Sequence, residues 1–135
     1  MPDMLYCTIV TPEAVALDVS AEFIAVPLYD GEIGIAPHRA PLIGRLGHGE
    51  FRLRRKDELK RYYLDGGFVQ VAENRVTILT DRAVPAAEVD GKAAQEQLAT
   101  ALKQPASTEE TMKIRDRQLA RARGQMLVAR RNERE

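Results

Sequence analysis

The hydrophobic period changes once along the chain, at Asp81, and that change dictates a two-part molecule. Before Asp81, apolar residues alternate with polar ones or run for a few positions between turn residues. After it they recur every three to four residues. A period of two places side chains on alternate faces of a strand, whereas a period near 3.6 lines one face of a helix. The sequence therefore predicts an antiparallel β sandwich or flattened barrel over residues 1–84. A linker and an antiparallel two-helix hairpin follow over residues 85–135.

Within the first part, residues 5–10 alternate as a strand with Leu5, Cys7 and Ile9 on one face. A short strand is expected at 15–17. Another at 22–28 has a nearly continuous apolar run, which predicts burial on both faces. Tyr29-Asp30-Gly31 turns the chain into a strand with Ile33 and Ile35 together, and loop 36–41 is bracketed by Pro37 and Pro41. Proline fixes φ and pushes its preceding residue extended, so this loop has few conformations to lose. It carries His38 and Arg39, and reads either as a presented contact surface or as a plain connection between strands.

A short apolar strand at 43–46 and a turn at Gly47-His48-Gly49 come next. Over 50–56, Phe51 and Leu53 alternate with Arg52, Arg54 and Lys56, predicting a half-buried strand with a basic outer face. Asp57 and Glu58 fall in a hairpin loop, and 61–65 returns with Tyr62 and Leu64 on one side. Gly66-Gly67 marks a bulge, a sharp bend or a close backbone approach. Residues 68–71, a tight turn at Glu73-Asn74 and a last strand at 76–79 complete the sandwich.

Residues 82–88 read as a linker. Asp90 is placed to cap a helix running to about residue 103, with Ala93, Ala94, Leu98, Ala101 and Leu102 at helical spacing. Gln104-Pro105-Ala106 stops it. Ser107 and Glu110 form a capping box for a second helix to about residue 131, in which Met112, Leu119 and Met126 recur at sevens, supported by Ala122 and Leu127. An alanine-rich seam packs closely but buries little apolar area, so the hairpin is expected to be marginal and separable when something else binds its faces.

Chemistry is harder to find. The chain has 135 residues, 44% of them hydrophobic, and a formal net charge of zero, which excludes bulk attraction to nucleic acid or anionic lipid. The one cysteine, Cys7, reads as a small buried hydrophobe and rules out an internal disulfide. No apolar run approaches the roughly 20 residues of a membrane span. The N-terminus has no basic segment leading into an apolar core, so no secretion signal is expected. His38 and His48, the two histidines, both read as solvated loop residues without partners for a metal site. Ser20 and Ser107 lie in no nucleophile elbow, and the glycines form no phosphate-binding loop. No catalytic residue, metal site or cofactor is predicted.

The second helix is the most informative stretch. Over residues 111–132 Lys113, Arg115, Arg117, Arg121, Arg123, Arg130 and Arg131 stand against Asp116 alone. Such a face suits an acidic protein partner, since arginine pairs bidentately with carboxylates. Two other readings stay open: a solvated helix whose late arginines complement its dipole, and a nucleic-acid contact. Against the last, no aromatic residue follows Phe68, so this helix cannot stack bases.

A β sandwich followed by a basic helical hairpin resembles the ε-subunit family of the rotary F-type ATP synthase, and residue patterns carry the likeness. Gly31-Glu32-Ile33-Gly34-Ile35-Ala36-Pro37 matches the family's Gly-Glu-x-Gly-Ile-x-Pro, and Ala40-Pro41-Leu42 its continuation. Gly66-Gly67-Phe68-Val69-Gln70-Val71 and Val76-Thr77-Ile78-Leu79 look like its next strands.

The resemblance implies a non-catalytic subunit without a cofactor at the foot of the central stalk, on the cytoplasmic face of the bacterial inner membrane, coupling proton-driven rotation to ATP synthesis. Its implied partners are the γ subunit, the rotor ring of c subunits and the β subunit. Glu32, Gly34, Pro37, His38 and Arg39 are then expected at the γ and ring contact. Arg115, Arg121, Arg123, Arg130 and Arg131 are expected to inhibit ATP hydrolysis by meeting acidic residues of β when the hairpin extends.

Two departures stand out. The family has Gly-His or Asn-His where this chain has His38-Arg39. Some members bind ATP through Ile/Leu-Asp-x-x-Arg-Ala, where this chain reads Val89-Asp90-Gly91-Lys92-Ala93-Ala94. Ala93 removes a phosphate-pairing guanidinium, a loss of about 1.5–3 kcal/mol, and leaves Asp90 as the weak nucleotide candidate. A free nucleotide-sensing module and a nucleic-acid-binding module are the alternative functions.

Overall fold

The computed structural model describes residues 4–134, and side chains through Asn132. Residues 1–3, at the start of the expected sandwich, and Glu135 lie outside the described residues. Eight strands come first: β1 Leu5–Val10, β2 Val15–Ala21, β3 Phe23–Leu28, β4 Gly31–Ile35, β5 Leu42–Arg55, β6 Glu58–Ala72, β7 Arg75–Leu79 and β8 Ala83–Pro85. A 3-10 turn at Ala86–Glu88 leads into helices α1 Gly91–Leu102 and α2 Glu109–Arg134.

The strand order is β2-β1-β7-β6-β5-β3-β4, with β8 also on β6; β1 and β7 run parallel and every other pair antiparallel. The long hairpin of β5 and β6 serves both layers of the sandwich. Residues 68–72 of β6 pair with β7, while Tyr62–Leu64 positions pair with β8. Between the layers lies one apolar core containing Leu5, Cys7, Ile9, Ile24, Val26, Ile35, Phe51, Leu53, Leu64, Val69, Val71, Val76 and Ile78.

Several expectations change. Gly47-His48-Gly49 is no turn: β5 continues through it, because His48, Gly49 and the apolar stretches on either side pair with β6 in one register. The Gly66-Gly67 expectation resolves as close approach without a bulge. Both have positive φ, and a Cβ on Gly67 would overlap the carbonyl oxygen of Leu79. The turn at Glu73-Asn74 is as expected, with φ of 51° and 62°, the left-handed pair of a type I′ hairpin.

The expected linker at 82–88 is instead β8 plus a 3-10 turn, since Ala83–Pro85 finds open hydrogen-bonding positions on β6. Asp90 caps α1 as expected, its carboxylate accepting from Lys92 N at 3.0 Å and Ala93 N at 3.1 Å. The cap of α2 is Thr108, not Ser107. Thr108 Oγ1 accepts from Thr111 N at 3.1 Å and Thr108 N donates to Thr111 Oγ1 at 3.0 Å, a reciprocal box one residue later. The predicted seam of sevens forms the buried stripe only in part. Leu119, Ala122 and Val128 are buried, while Met112 and Leu127 are about half exposed.

Candidate functional site

Helix α2 lies on the outer face of the β5–β6 hairpin, and strand alternation decides what it meets there. Phe51 and Leu53 point into the core, so His48, Glu50 and Arg52 point outward. Across the pair, Leu64 points inward, so Arg61, Tyr63 and Asp65 point outward. In register, His48 faces Asp65, Glu50 faces Tyr63 and Arg52 faces Arg61. The six side chains make a polar platform. It becomes buried only because α2 covers it: Glu50, Tyr63 and Asp65 are each 6% exposed or less.

Two carboxylates hold the helix. Asp65 Oδ1 lies 2.7 Å from His48 Nδ1 and 3.1 Å from Arg121 Nε of α2. Glu50 accepts two bonds from Arg61, at 3.0 and 3.1 Å, and lies 3.2 Å from Arg131 Nη1 of α2. Burial pushes the Glu50 carboxyl up, but the hydrogen bonds and charge of Arg61, then of Arg131, outweigh it and hold the group below the usual carboxylate range. Burial acts the same way on Asp65, and His48 and Arg121 reverse it. Both acids are thus ionised acceptors, and His48 Nδ1 carries the proton it gives to Asp65.

Other polar contacts complete the dock. Arg61 Nη1 donates to Asn132 Oδ1 at 2.7 Å, and Asn132 Nδ2 donates to the Ala86 carbonyl at 2.6 Å. The Tyr63 hydroxyl lies 3.2 Å from Asp65 Oδ1 and 3.4 Å from the Arg121 carbonyl; burial and then the Asp65 charge push its phenol well up. Among the described residues, the apolar part of the dock is a small cluster of Tyr63, Ala86 and Val128 with Val84 and Val89.

The predicted arginines therefore separate. Arg121 and Arg131 are engaged by the platform, whereas Arg123 and Arg130 are exposed. Arg115 is half-buried, and its Nε has no hydrogen-bond partner among the described residues. Asp90 is occupied by its cap. Glu32 and Gly34 sit on the edge strand β4. Glu32 forms a two-pronged pair with Arg52, at 2.6 and 3.2 Å, reaching across β3, whose Ala25 and Pro27 stand between them in register. Gly34 leaves room for the Phe23 ring.

Pro37, His38 and Arg39 follow in the loop. His38 has φ 70°, a left-handed value that glycine and asparagine adopt at less cost than most residues, and its N donates to Asn74 Oδ1 at 2.6 Å. Glu32 and Gly34 thus lie on the edge strand, and the loop that follows is tied to the β6–β7 turn.

Sequence reasoning missed Glu50, Tyr63, Asp65 and Gly124, and mistook His48 for a solvated loop residue. Its side chain is 20% exposed and bonded to Asp65. A signal existed in the outward positions of two strands that carry acids and a histidine opposite an arginine-rich helix. A second surface was also missed. Ile43, Phe68 and Leu79 are each more than half exposed on the other layer, and Tyr29 beside them carries Arg45 over its ring at 4.6 Å. Among the described residues no group of three or more metal-ligating side chains occurs, and no helix is long and apolar enough to cross a membrane.

Fold and platform define a β-sandwich protein whose C-terminal helical hairpin is held down by ion pairs. Comparisons with known proteins place it further. Residues 4–86 match the family described as ATP synthase, delta/epsilon chain, β-sandwich domain. The ATP synthase epsilon chain of Rhodopirellula baltica is 47% identical over 124 residues, covering 92% of this chain and 97% of the relative. That of Symbiobacterium thermophilum is 41% identical over 90 residues, covering 66% and 65%.

Among solved structures, a chain of the Euglena gracilis mitochondrial ATP synthase (OSCP/F1/c-ring) superposes with a TM-score of 0.82 at 20% identity, covering 92% of this chain and 80% of that one. A chain of the Tetrahymena thermophila ATP synthase central stalk and c-ring gives 0.74 at 16%, covering 94% and 97%. The chain belongs to the ATP synthase delta/epsilon chain family, on its epsilon side. It is a non-catalytic subunit of the F-type ATP synthase.

Proposed function

We propose that this subunit stands at the foot of the central stalk, between the γ subunit and the ring of c subunits, on the cytoplasmic face of the bacterial inner membrane. There it helps couple proton-driven rotation to ATP synthesis. Glu32, Gly34, Pro37, His38 and Arg39 supply the edge that meets γ and the ring. The exposed apolar surface of Ile43, Phe68 and Leu79 adds a second contact to γ, because a clustered apolar surface of this kind is what a protein partner covers.

The hairpin regulates. Released from the platform, α2 offers Arg115, Arg121, Arg123, Arg130 and Arg131 to acidic residues of the β subunit and blocks hydrolysis. The observation that carries this reading is the character of the dock: α2 is held chiefly by ion pairs and hydrogen bonds, with little apolar area to keep it down. Arg121 and Arg131 are half exposed, and each buried acid keeps a second partner on its own sheet, so the two placements of the helix can differ by only a few kcal/mol.

Deleting residues 88–135 and reconstituting the complex tests it. Assembly with γ and the ring should persist and ATP hydrolysis should rise. Unchanged hydrolysis would remove the regulatory role, and loss of γ from the purified complex would remove the stalk placement.

A further inference from the structure

Four charged side chains run in an unbroken line from the edge strand to the helix. Glu32 on β4 is paired with Arg52 at 2.6 and 3.2 Å. Arg52 Nη1 also lies 3.7 Å from Glu50 Oε1. Glu50 Oε2 lies 3.2 Å from Arg131 Nη1 on α2. Charges alternate along the line, and Arg52 is its pivot: it serves the exposed acid Glu32 closely and the buried acid Glu50 loosely. We propose that Arg52 couples whatever engages Glu32 to the docking of the C-terminal hairpin.

The sign follows from the charges. Glu50 is a single carboxylate that already holds Arg61 on its own sheet and Arg131 on the helix. Glu32 keeps Arg52 occupied and cancels its charge. When a partner presents a cation or strong donor to Glu32, Arg52 loses its closer acid and turns to Glu50, the other carboxylate within its reach. Three guanidinium groups then share one buried carboxylate. Arg61 is held by two short hydrogen bonds and is 10% exposed, whereas Arg131 is 48% exposed at a single contact, so Arg131 is the one that leaves.

Leaving does not orphan the acid, because Arg61 and Arg52 remain. The same holds for Asp65, which keeps His48 on its own sheet when Arg121 departs. A buried carboxylate left unpaired would cost several kcal/mol and would lock the helix down. Reserve partners on the sandwich, arginines at Glu50 and the His48 hydrogen bond at Asp65, reduce that penalty, and the helix becomes releasable. Engagement of the edge strand would thus free the arginines for the acidic partner. This inference rests on the proposed contact roles of Glu32 and α2.

The full-length chain, without the rest of the complex, is enough for the test. Dyes on Asp57→Cys and Leu127→Cys report separation of helix and sheet by energy transfer. The native Cys7 is buried and its thiol is pushed up to about 12 by burial and Asp18, so it escapes labelling. Glu32→Gln, which mimics an acid claimed by a partner, should raise the open fraction about two- to fivefold, the scale of a surface charge coupling. In an Arg52→Gln background the same substitution should add nothing. An open fraction indifferent to Glu32→Gln, or raised equally in both backgrounds, overturns the coupling. Because no partner is present, such a failure is separate from that of the regulatory role, which hydrolysis by the truncated complex decides.

Discussion

At Gly124 the backbone of α2 passes so close to β5 that a Cβ would overlap the carbonyl oxygen of His48. A glycine in mid-helix weakens the helix by about 1 kcal/mol relative to alanine, and here it is kept for the approach. Gly124→Ala should therefore strengthen α2 as an isolated helix and loosen it from the sandwich. Helicity by circular dichroism should hold or rise, while hydrogen exchange of the amides around Leu119, Ala122 and Val128 accelerates at least about tenfold, the equivalent of roughly 1.4 kcal/mol. Unchanged exchange would mean that the close approach is not needed for docking.

Gly67 makes the opposite prediction about which part of the protein suffers. Its φ is 113°, and a Cβ would strike the backbone of Leu79 and Thr80. Gly67→Ala should destabilise the sandwich itself, by on the order of 1–3 kcal/mol from backbone strain with the steric clash in addition. Urea unfolding should show the midpoint fall with little change in slope. A midpoint within error of the parent would contradict the assigned backbone.

The two halves of the Glu50 cluster should be unequal. Arg131 is 48% exposed, so Arg131→Ala should cost at most about 1 kcal/mol. Glu50→Ala removes the buried carboxylate that Arg61 and Arg131 share and should cost more, about 1.5–3 kcal/mol, the scale of hydrogen bonds to a charged group. Equal losses in urea unfolding would show that the buried acid is not the centre of the cluster.

Acid should weaken the molecule in a defined direction. Glu50 and Asp65 are both held below their ordinary values of 4.5 and 3.8, because Arg61 and Arg131 at Glu50, and His48 and Arg121 at Asp65, outweigh the opposing effect of burial. The unfolded chain then binds more protons than the folded one, so stability rises with pH through this window. The contribution is fully present above about pH 5 and is lost as pH falls below 4.5 through the lowered folded values. Unfolding midpoints at pH 7, 5 and 3 should show little change over the first interval and a fall over the second. Asp65→Asn should flatten part of that fall; a parent midpoint constant down to pH 3 would refute the ion-pair account.

Much of this architecture was legible in the residues. Alternation placed Phe51 and Leu53 inward, the Glu73-Asn74 turn announced its hairpin, and Asp90 announced the start of α1. The failures share a cause. His48 looked like part of a turn because glycines flank it, yet those glycines let β5 continue under Leu28 and Pro27, whose atoms a Cβ at Gly47 or Gly49 would crowd. Ser107 looked like the cap because a glutamate follows at the right spacing, but Thr108 and Thr111 cap each other first.

What the sequence determined by itself was local: where period two gives way to period 3.6, which face of each strand is apolar, and that the last helix is basic. Those properties depend on residues a few positions apart. Tertiary structure decided which of the arginines are withheld and by what. Arg121 meets Asp65 across 56 residues of chain, and Arg131 meets Glu50 across still more. Such pairings follow from how a helix lies on a sheet. Nothing in the neighbouring residues of an outward-pointing acid reveals whether water or an arginine from the far end of the chain will cover it.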